Sequence, residues 1–530
     1  MKRFRNFRSR ALTLFIFALF SQIISGQGAG SISGSIMSSS HYYYNDAILG
    51  LLAPADRFAS NNYLWMQYQN GPFSAGIQYE AYMPPLQGFA YQYEGNYISH
   101  RFIRYKKGII DLTGGNFYEQ FGSGLSFRSY EDRALGFNNS LDGIRFVFRP
   151  ANWVTIKSLW GKQRRFDSYS DSYIRGVDGS LDIGSLLKTD NSLTVGGGLV
   201  SRYQLYTGPD INFPSTVNSI NSRIKFESEI LSIYTEYIIK SDDPQSSNLF
   251  SKNRGDALLL NSTLTTGNFG FFVSARFLKE MDFQAERSYT DSYSTINYIP
   301  SNTRQYTYSV LNLYPYSTQV LGEASVKVDL NYSLPKGSGL AAYGTDLRFN
   351  SSLVNGLSTG SSGKEVTISF GDEKYYRDYH FEITRRWNSK LMTIIALQNT
   401  YFNKGVVEGG GSEIVKSNAA IADIQYRFTR KLSFRTEIEH LWTADDQGNW
   451  AAIKGELSYS PFLSVFASDM TNYQYNDQVH YFSFGTSLSF DNARVSIGYG
   501  RNREGYICSG GICRKIPAYK GFNLSITTSF

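Results

Sequence analysis

The chain has 530 residues, 52 Lys and Arg against 45 Asp and Glu, a formal net charge of +7 and a sequence pI near 9.0. Five positive charges, Lys2, Arg3, Arg5, Arg8 and Arg10, lie at the extreme N-terminus, so 7 − 5 leaves +2 for the remainder. No block of clustered Lys and Arg survives in that remainder, which argues against a nucleic-acid surface.

The basic start runs into an apolar stretch, Ala11 to Phe20, and a short polar one, Ser21 to Gly28. This is the layout of a secretory signal peptide, with an apolar core too short to span a bilayer. Cleavage is expected between Gly26 and Ala29, dividing the chain into a signal peptide, 1–27, and one mature domain, 28–530. No cysteine lies near the cut, so no N-terminal lipid anchor is expected.

Beyond the signal no run of 18 apolar residues occurs, which leaves no candidate transmembrane helix. Aromatics nevertheless make up 16% of the chain, with 40 Tyr, 37 Phe and 48 Gly. Such a composition favours strands over helices. Exported strands that cross a bilayer must close on themselves, because an open edge in lipid leaves backbone groups unpaired. The expected fold is therefore all-β, a single transmembrane antiparallel barrel.

In chain order, a first strand is read near Ser31 to Tyr44. Short turns follow near Asn70-Gly71-Pro72, Lys106-Lys107-Gly108, Pro150-Ala151-Asn152, Lys188 to Asn191, Glu229-Ile230 and Gly267-Asn268. Others sit at Pro335-Lys336-Gly337, Asn388-Ser389-Lys390, Arg430-Lys431, near Pro461 and at Asp491-Asn492. Longer polar or Tyr-rich segments alternate with them, matching barrels that keep short turns periplasmic and long loops outside. Eleven hairpins with a first and a closing strand predict 24 strands, within a range of about 22 to 26, if Lys364 to Trp387 is one long strand. No segment before the first strand is long enough for a plug domain, a departure from TonB-dependent receptors. The segments Tyr118 to Asn139 and Met281 to Val320 must then fold inward, or a partner must fill so wide a lumen.

One stretch breaks the alternation. Phe117-Tyr118-Glu119-Gln120-Phe121-Gly122-Ser123-Gly124 continues to Arg128-Ser129-Tyr130-Glu131-Asp132-Arg133-Ala134-Leu135-Gly136, packing glycines beside charges. Bent, inward-folded backbone with buried Arg–carboxylate pairs needs such residues. The stretch resembles an uncharacterised family of Bacteroidota outer-membrane barrels, and the resemblance implies an address and a fold but no activity. Glu119, Arg128, Glu131, Asp132 and Arg133 either build a constriction or docking surface, or brace an extracellular loop against the wall.

The connection from Met281 to Val320 carries Tyr289, Tyr293, Tyr298, Tyr306, Tyr308, Tyr314 and Tyr316. Flat rings with hydroxyl tips suit glycan or protein contact, and equally an aromatic belt where strands leave the bilayer. Asp378, His380 and Glu382 share one lumen face and could suggest metal binding or acid–base work. No nucleophile is spaced to join them, so a hydrated polar wall is the better reading, with no cofactor, no metal and no enzymatic activity expected. Lys327 and Asp329, Asp423 and Arg427, and Arg435, Glu437 and Glu439 likewise alternate with apolar residues, predicting a wall of mixed-sign ion pairs.

Cys508 and Cys513 are the only cysteines and fall between the last two strands. Exported context and an even count favour a disulfide that stiffens an external loop. The closing strand sets Phe522, Leu524, Ile526, Thr528 and Phe530 against Asn523, Ser525, Thr527 and Ser529. Gly521, Leu524, Ile526 and the terminal Phe530 resemble the β-signal read by barrel-assembly machinery. The sequence thus implies an outer-membrane transport-class barrel, a gated or loop-occluded channel. The alternative is a non-conducting scaffold subunit of an envelope machine for secretion, gliding or barrel assembly. Outer-membrane lipid, the assembly machinery and an envelope protein are the expected partners.

Overall fold

The computed structural model describes residues 30–207, 213–337, 339, 342–359, 366–409, 413–474, 478–509 and 512–530. The expected signal peptide, 1–27, lies outside these residues. The alternating segments form 24 wall strands. They are β1 (Ser31–Tyr44), β2 (Phe58–Asn70), β3 (Phe73–Tyr82), β4 (Gly95–Lys107), β5 (Ile110–Phe117), β6 (Leu141–Ala151), β7 (Val154–Arg165) and β8 (Tyr173–Asp182). Next come β9 (Ser192–Tyr203), β10 (Thr216–Glu227), β11 (Leu231–Lys240), β12 (Gly255–Thr266), β13 (Phe269–Lys279), β14 (Gly322–Leu334), β15 (Thr345–Thr359) and β16 (Val366–Arg386). The circuit ends with β17 (Leu391–Asn403), β18 (Ile414–Arg427), β19 (Leu432–Trp442), β20 (Trp450–Tyr459), β21 (Leu463–Asn472), β22 (Val479–Ser489), β23 (Ala493–Asn502) and β24 (Tyr519–Ser529).

Each strand pairs antiparallel with its chain neighbour, and β24 pairs back onto β1, from Ser35 opposite Ser529 to Tyr44 opposite Lys520. The terminal residue completes that seam. Gly34 N–H donates to the Phe530 carbonyl at 2.9 Å and Phe530 N–H donates to that of Gly34 at 3.0 Å. Closure satisfies the ladder groups an open sheet would expose to lipid. The expected single strand at Lys364 to Trp387 is observed as β16, 21 residues long.

Strand periodicity sorts the side chains. Phe434, Ile438, Trp442, Ile453, Leu457, Phe522 and Leu524 face outward and are exposed, as lipid contact requires. Arg435 turns inward on the next position and reaches Asp423 at 2.7 Å and Glu437 at 3.0 Å, with Lys454 on the far side of Glu437. A closed barrel with an apolar exterior and a charged interior is an outer-membrane protein.

The lumen departs from its expected polarity at the extracellular ends of the strands. There the inward positions Leu141, Ile174, Val200, Val217, Ile238, Leu278, Val415 and Leu441 are apolar and buried. Water cannot be what covers them.

The wall also has one irregular place. β5 is only eight residues long, and its ladder to β4 starts at Phe102 opposite Gly115. Gly115 has φ +95°, and a Cβ there would stand 2.4 Å from the Arg101 carbonyl oxygen. A side chain would push β5 off β4, so glycine is required where the strand bends inward.

Candidate functional site: two segments that fill the lumen

The connection between β5 and β6, residues 118–140, turns into the barrel instead of rising above it. Its backbone makes two small hairpins, Gln120–Phe121 with Phe127–Arg128, and Glu131–Asp132 with Phe137–Asn138. Glycine permits the closest approach, since a Cβ on Gly122 would lie 2.2 Å from a Glu236 carboxylate oxygen of β11. Phe121, Leu125, Phe127, Leu135 and Phe137 are at most 2% exposed. Phe121 and Phe127 pack with Ile174, Val200 and Val217 of the wall, and Leu125 packs with Ile238 and Leu278. These are the apolar inward positions that the fold left to be covered.

Charge fixes the segment from two sides. Glu119 meets Arg145 of β6 at 2.6 Å and Lys157 of β7 at 2.8 Å. Burial alone would raise the Glu119 carboxyl, but Lys157 and Arg145 hold it below the ordinary carboxylate range. On the opposite side, Arg133 pairs with Glu131 at 3.3 Å, donates to Gln78 of β3 at 2.9 Å and covers the Tyr63 ring of β2. Ser126 accepts from Asn221 of β10 at 2.7 Å. The segment therefore bridges β2 and β3 to β10 and β11 across the lumen. Asp132 accepts the Leu135 amide and shapes the second hairpin, and Arg128 has no carboxylate among the described residues. Arg128 lies instead between the rings of Tyr130 and Tyr298, at 4.7 and 3.9 Å.

The second filler is the connection between β13 and β14, residues 280–321. It joins the first directly: Arg128 N–H donates to the Ile296 carbonyl at 3.0 Å, and Tyr298 N–H to that of Gly124 at 2.9 Å. Arg202 of β9 donates to the Gln284 carbonyl at 2.7 Å, and Lys240 of β11 donates to that of Asp282. The segment then crosses to the other wall. Tyr306 donates to Asp378, Tyr308 to Asp423 at 3.1 Å, and Tyr316 to Glu323 at 2.6 Å. Val310 N–H donates to Glu439 at 2.8 Å.

These contacts correct the reading of the tyrosines. Neither an exposed glycan surface nor a rim belt accounts for Tyr308, Tyr314 and Tyr316, which are at most 8% exposed and belong to a core with Phe402, Val415, Leu441 and Trp450. A phenol is suited to this duty because its ring covers apolar wall while its hydroxyl satisfies a wall carboxylate.

Asp378, His380 and Glu382 do share a lumen face of β16. Arg304 approaches His380 Nδ1 at 3.4 Å and Glu382 at 3.5 Å, and Arg348 pairs with Glu382 at 3.1 Å. Their neighbours are the filler's own side chains, and no group of metal-ligating residues that could hold an ion occurs among the described residues. Lys327 lies by the Phe272 ring at 5.1 Å, and Asp329 accepts from Asn350 at 2.6 Å, so those two make no ion pair with each other among the described residues.

Sequence reading missed the buried pairs that hold other loops down. Glu80 of β3 and Arg164 of β7 form a two-pronged pair at 3.0 and 2.8 Å, and Arg202 joins Asp243 at 2.5 Å. Arg276 joins Glu323 at 2.7 Å, and Asp46 joins Arg501 at 2.5 Å. No local spacing announces them, because each links residues far apart in the chain. A third element lies over both fillers. Cys508 and Cys513 are bonded to each other in the hairpin Gly505–Ser509 with Ile512–Ile516. Arg514 donates to the Ala134 carbonyl at 3.0 Å, and Gln305 donates to that of Cys508 at 3.1 Å.

The comparisons agree with this fold. A family model described as a family of unknown function, DUF6029, matches residues 7–530. The chain belongs to that family. No curated protein matches the sequence. Among solved structures, an Escherichia coli P pilus tip assembly intermediate containing the usher aligns with a TM-score of 0.53 at 10% identity, covering 96% of this chain and 62% of that one. The P pilus usher translocation pore aligns at 0.48 and 10% identity, covering 94% and 99%. A Pseudomonas aeruginosa siderophore receptor aligns at 0.41 and 10%, covering 96% and 82%. The similarity is one of fold.

Proposed function

We propose that this barrel is a gated channel of the outer membrane, closed by two of its own loops. The supporting observation is the shared core of Phe121, Phe127, Phe283 and Ile296 with wall residues Ile174, Val200 and Val217. A loop that merely rested in a water-filled pore would not need an apolar seat on the wall. Glu119, Arg128, Glu131, Asp132 and Arg133 act in this reading as the fastenings of the closure, with Asp378, His380, Glu382 and Glu439 as its wall partners, while Arg435 and Glu437 pair within the wall. No step of this account requires an enzyme or a cofactor.

The same buried contacts favour a second reading, a permanently sealed scaffold, because the Arg202–Asp243 and Arg276–Glu323 pairs are at most 4% exposed. Breaking such a pair costs about 3–5 kcal/mol, so opening must leave them intact. The fillers can separate from each other without touching them. Export by a cleaved peptide, 1–27, insertion guided by Gly521, Leu524, Ile526 and Phe530, and a source among the Bacteroidota complete the proposal.

A lock distinguishes the readings. Ser126→Cys with Asn221→Cys places two thiols where a 2.7 Å hydrogen bond now joins the first filler to β10. Under the channel reading, cells carrying the oxidised pair lose whatever solute permeability the wild-type protein confers, and reduction restores it. Permeability unaffected by the lock supports the scaffold.

A further inference from the structure

The irregular place at β5 has chemistry of its own. Over Gly95–Arg101, β4 has no ladder partner on its β5 side among the described residues, because pairing with β5 begins only at Phe102. A register shift in the β3–β4 ladder beside Gln78 and Tyr79 bends the same stretch. Bulges and early strand ends re-aim a wall, and an unpaired stretch in lipid must be closed by other groups. Here side chains do it. On the outer face Arg101 reaches over the end of β5 to Asp142 of β6 at 3.2 Å. On the inner face Arg164 of β7 reaches Glu80 of β3. Between them the Asn116 side chain accepts the Arg101 amide at 3.0 Å and donates to the Tyr169 hydroxyl at 3.1 Å. On the outer face the closing contact is between side chains, so Arg101 and Asp142 can part there without breaking a backbone ladder or the buried Arg164–Glu80 pair.

An apolar groove of about 610 Å³ leads up to this seam on the lipid side, lined by Ile32, Met66, Tyr68, Ile77 and Ile103, with Arg101 and the small Gly114 and Gly115 at its upper end. Behind the seam Tyr63, Tyr82 and Tyr93 stand closely packed with the ion pairs Arg133–Glu131 and Arg164–Glu80. The groove uses positions near the periplasmic ends of β1 and β2, while Arg101 is six residues from the end of β4, near the middle of a crossing of about ten residues. An arginine there, 55% exposed beside the outward Ile98 and Ile103, is costly in lipid. Its one carboxylate contact uses a single donor of five. A bilayer lipid keeps its headgroup at the interface and would not bring an anion to this depth. A molecule in transit would.

We propose that the seam between β4 and β6 is a lateral portal for a long-chain carboxylate, its chain in the groove and its head on Arg101. The inference rests on the channel reading and names the substrate class. Asp142 holds the place that the carboxylate takes.

The test is binding of cis-parinaric acid to the purified barrel, read by its fluorescence, with the fold of each variant checked by heat-modifiable gel migration. Wild-type protein should bind saturably and at least tenfold more tightly than the uncharged alcohol of the same chain. Arg101→Gln should abolish that preference. Asp142→Asn, which frees the guanidinium, should tighten binding, and Ile77→Trp, which fills the groove, should remove it. Absence of saturable binding, or binding unchanged in the folded Ile77→Trp and Arg101→Gln variants, overturns the portal. None of these readouts depends on the loops opening, so failure here leaves the channel reading standing.

Discussion

The Arg128 guanidinium lies 3.9 Å from the centre of the Tyr298 ring, and this contact joins two loops that fill the barrel from different places in the chain. Both residues are held to the other loop by their own backbone amides as well. A cation on a partly desolvated ring contributes about 1 kcal/mol, roughly a fivefold change in an opening equilibrium. Arg128→Ala and Tyr298→Ala should each raise open probability in planar bilayers by about that factor, and the double variant should exceed neither by much. Fully additive effects would mean that the two side chains act separately.

Glu119 makes the closure sensitive to acid. Its carboxyl is held below the ordinary value of 4.5, so the tether to Lys157 and Arg145 is complete above that value. It is lost as pH falls through the depressed one. Wild-type conductance should rise as the bath is acidified below the ordinary carboxylate range. Glu119→Gln should conduct more at neutral pH and respond less to acid. An unchanged acid response in that variant would assign the titration to another group.

Much of this was legible in the sequence, and the part that was not has a physical reason. The wall could be read because period-2 alternation and eleven short turns are local signals, down to β16 as one strand. The direction of the loops could not be read from spacing. The signal was present in Tyr237-Ile238-Ile239 of β11 and Phe277-Leu278 of β13, where apolar residues occupy both faces. An inward apolar residue has meaning only once its distant cover, such as Leu125, is known. The tyrosines of the second loop misled for the same reason, since a ring suits an interface and a buried carboxylate equally. Alternation placed Lys327 and Asp329 in a mixed-charge wall but could not name their contacts, which are the Phe272 ring and Asn350.

Phe530 is both the last residue and part of the barrel's closure. Its ring lies against Gly34, where a Cβ would stand 2.5 Å from it, and its backbone exchanges two hydrogen bonds with that glycine. Phe530→Ser should lower the folded, heat-modifiable form in the outer membrane while export continues. Normal membrane levels of the variant would reduce Phe530 to an ordinary strand end.

The disulfide hairpin fixes the topology by experiment. Cys508 and Cys513 precede β24, which must return to the periplasm, so they face the medium. A membrane-impermeant reductant followed by maleimide should label both on intact cells. Labelling that requires permeabilised cells would invert the barrel.

The central claim is that residues 118–140 close the pore from within. Single-channel recording of purified protein lacking 120–138 tests it most directly, with heat-modifiable migration confirming that the wall has formed. The account predicts a large, persistent conductance in place of a closed baseline with rare openings. A folded deletion variant that remains as tight as the wild type would contradict it.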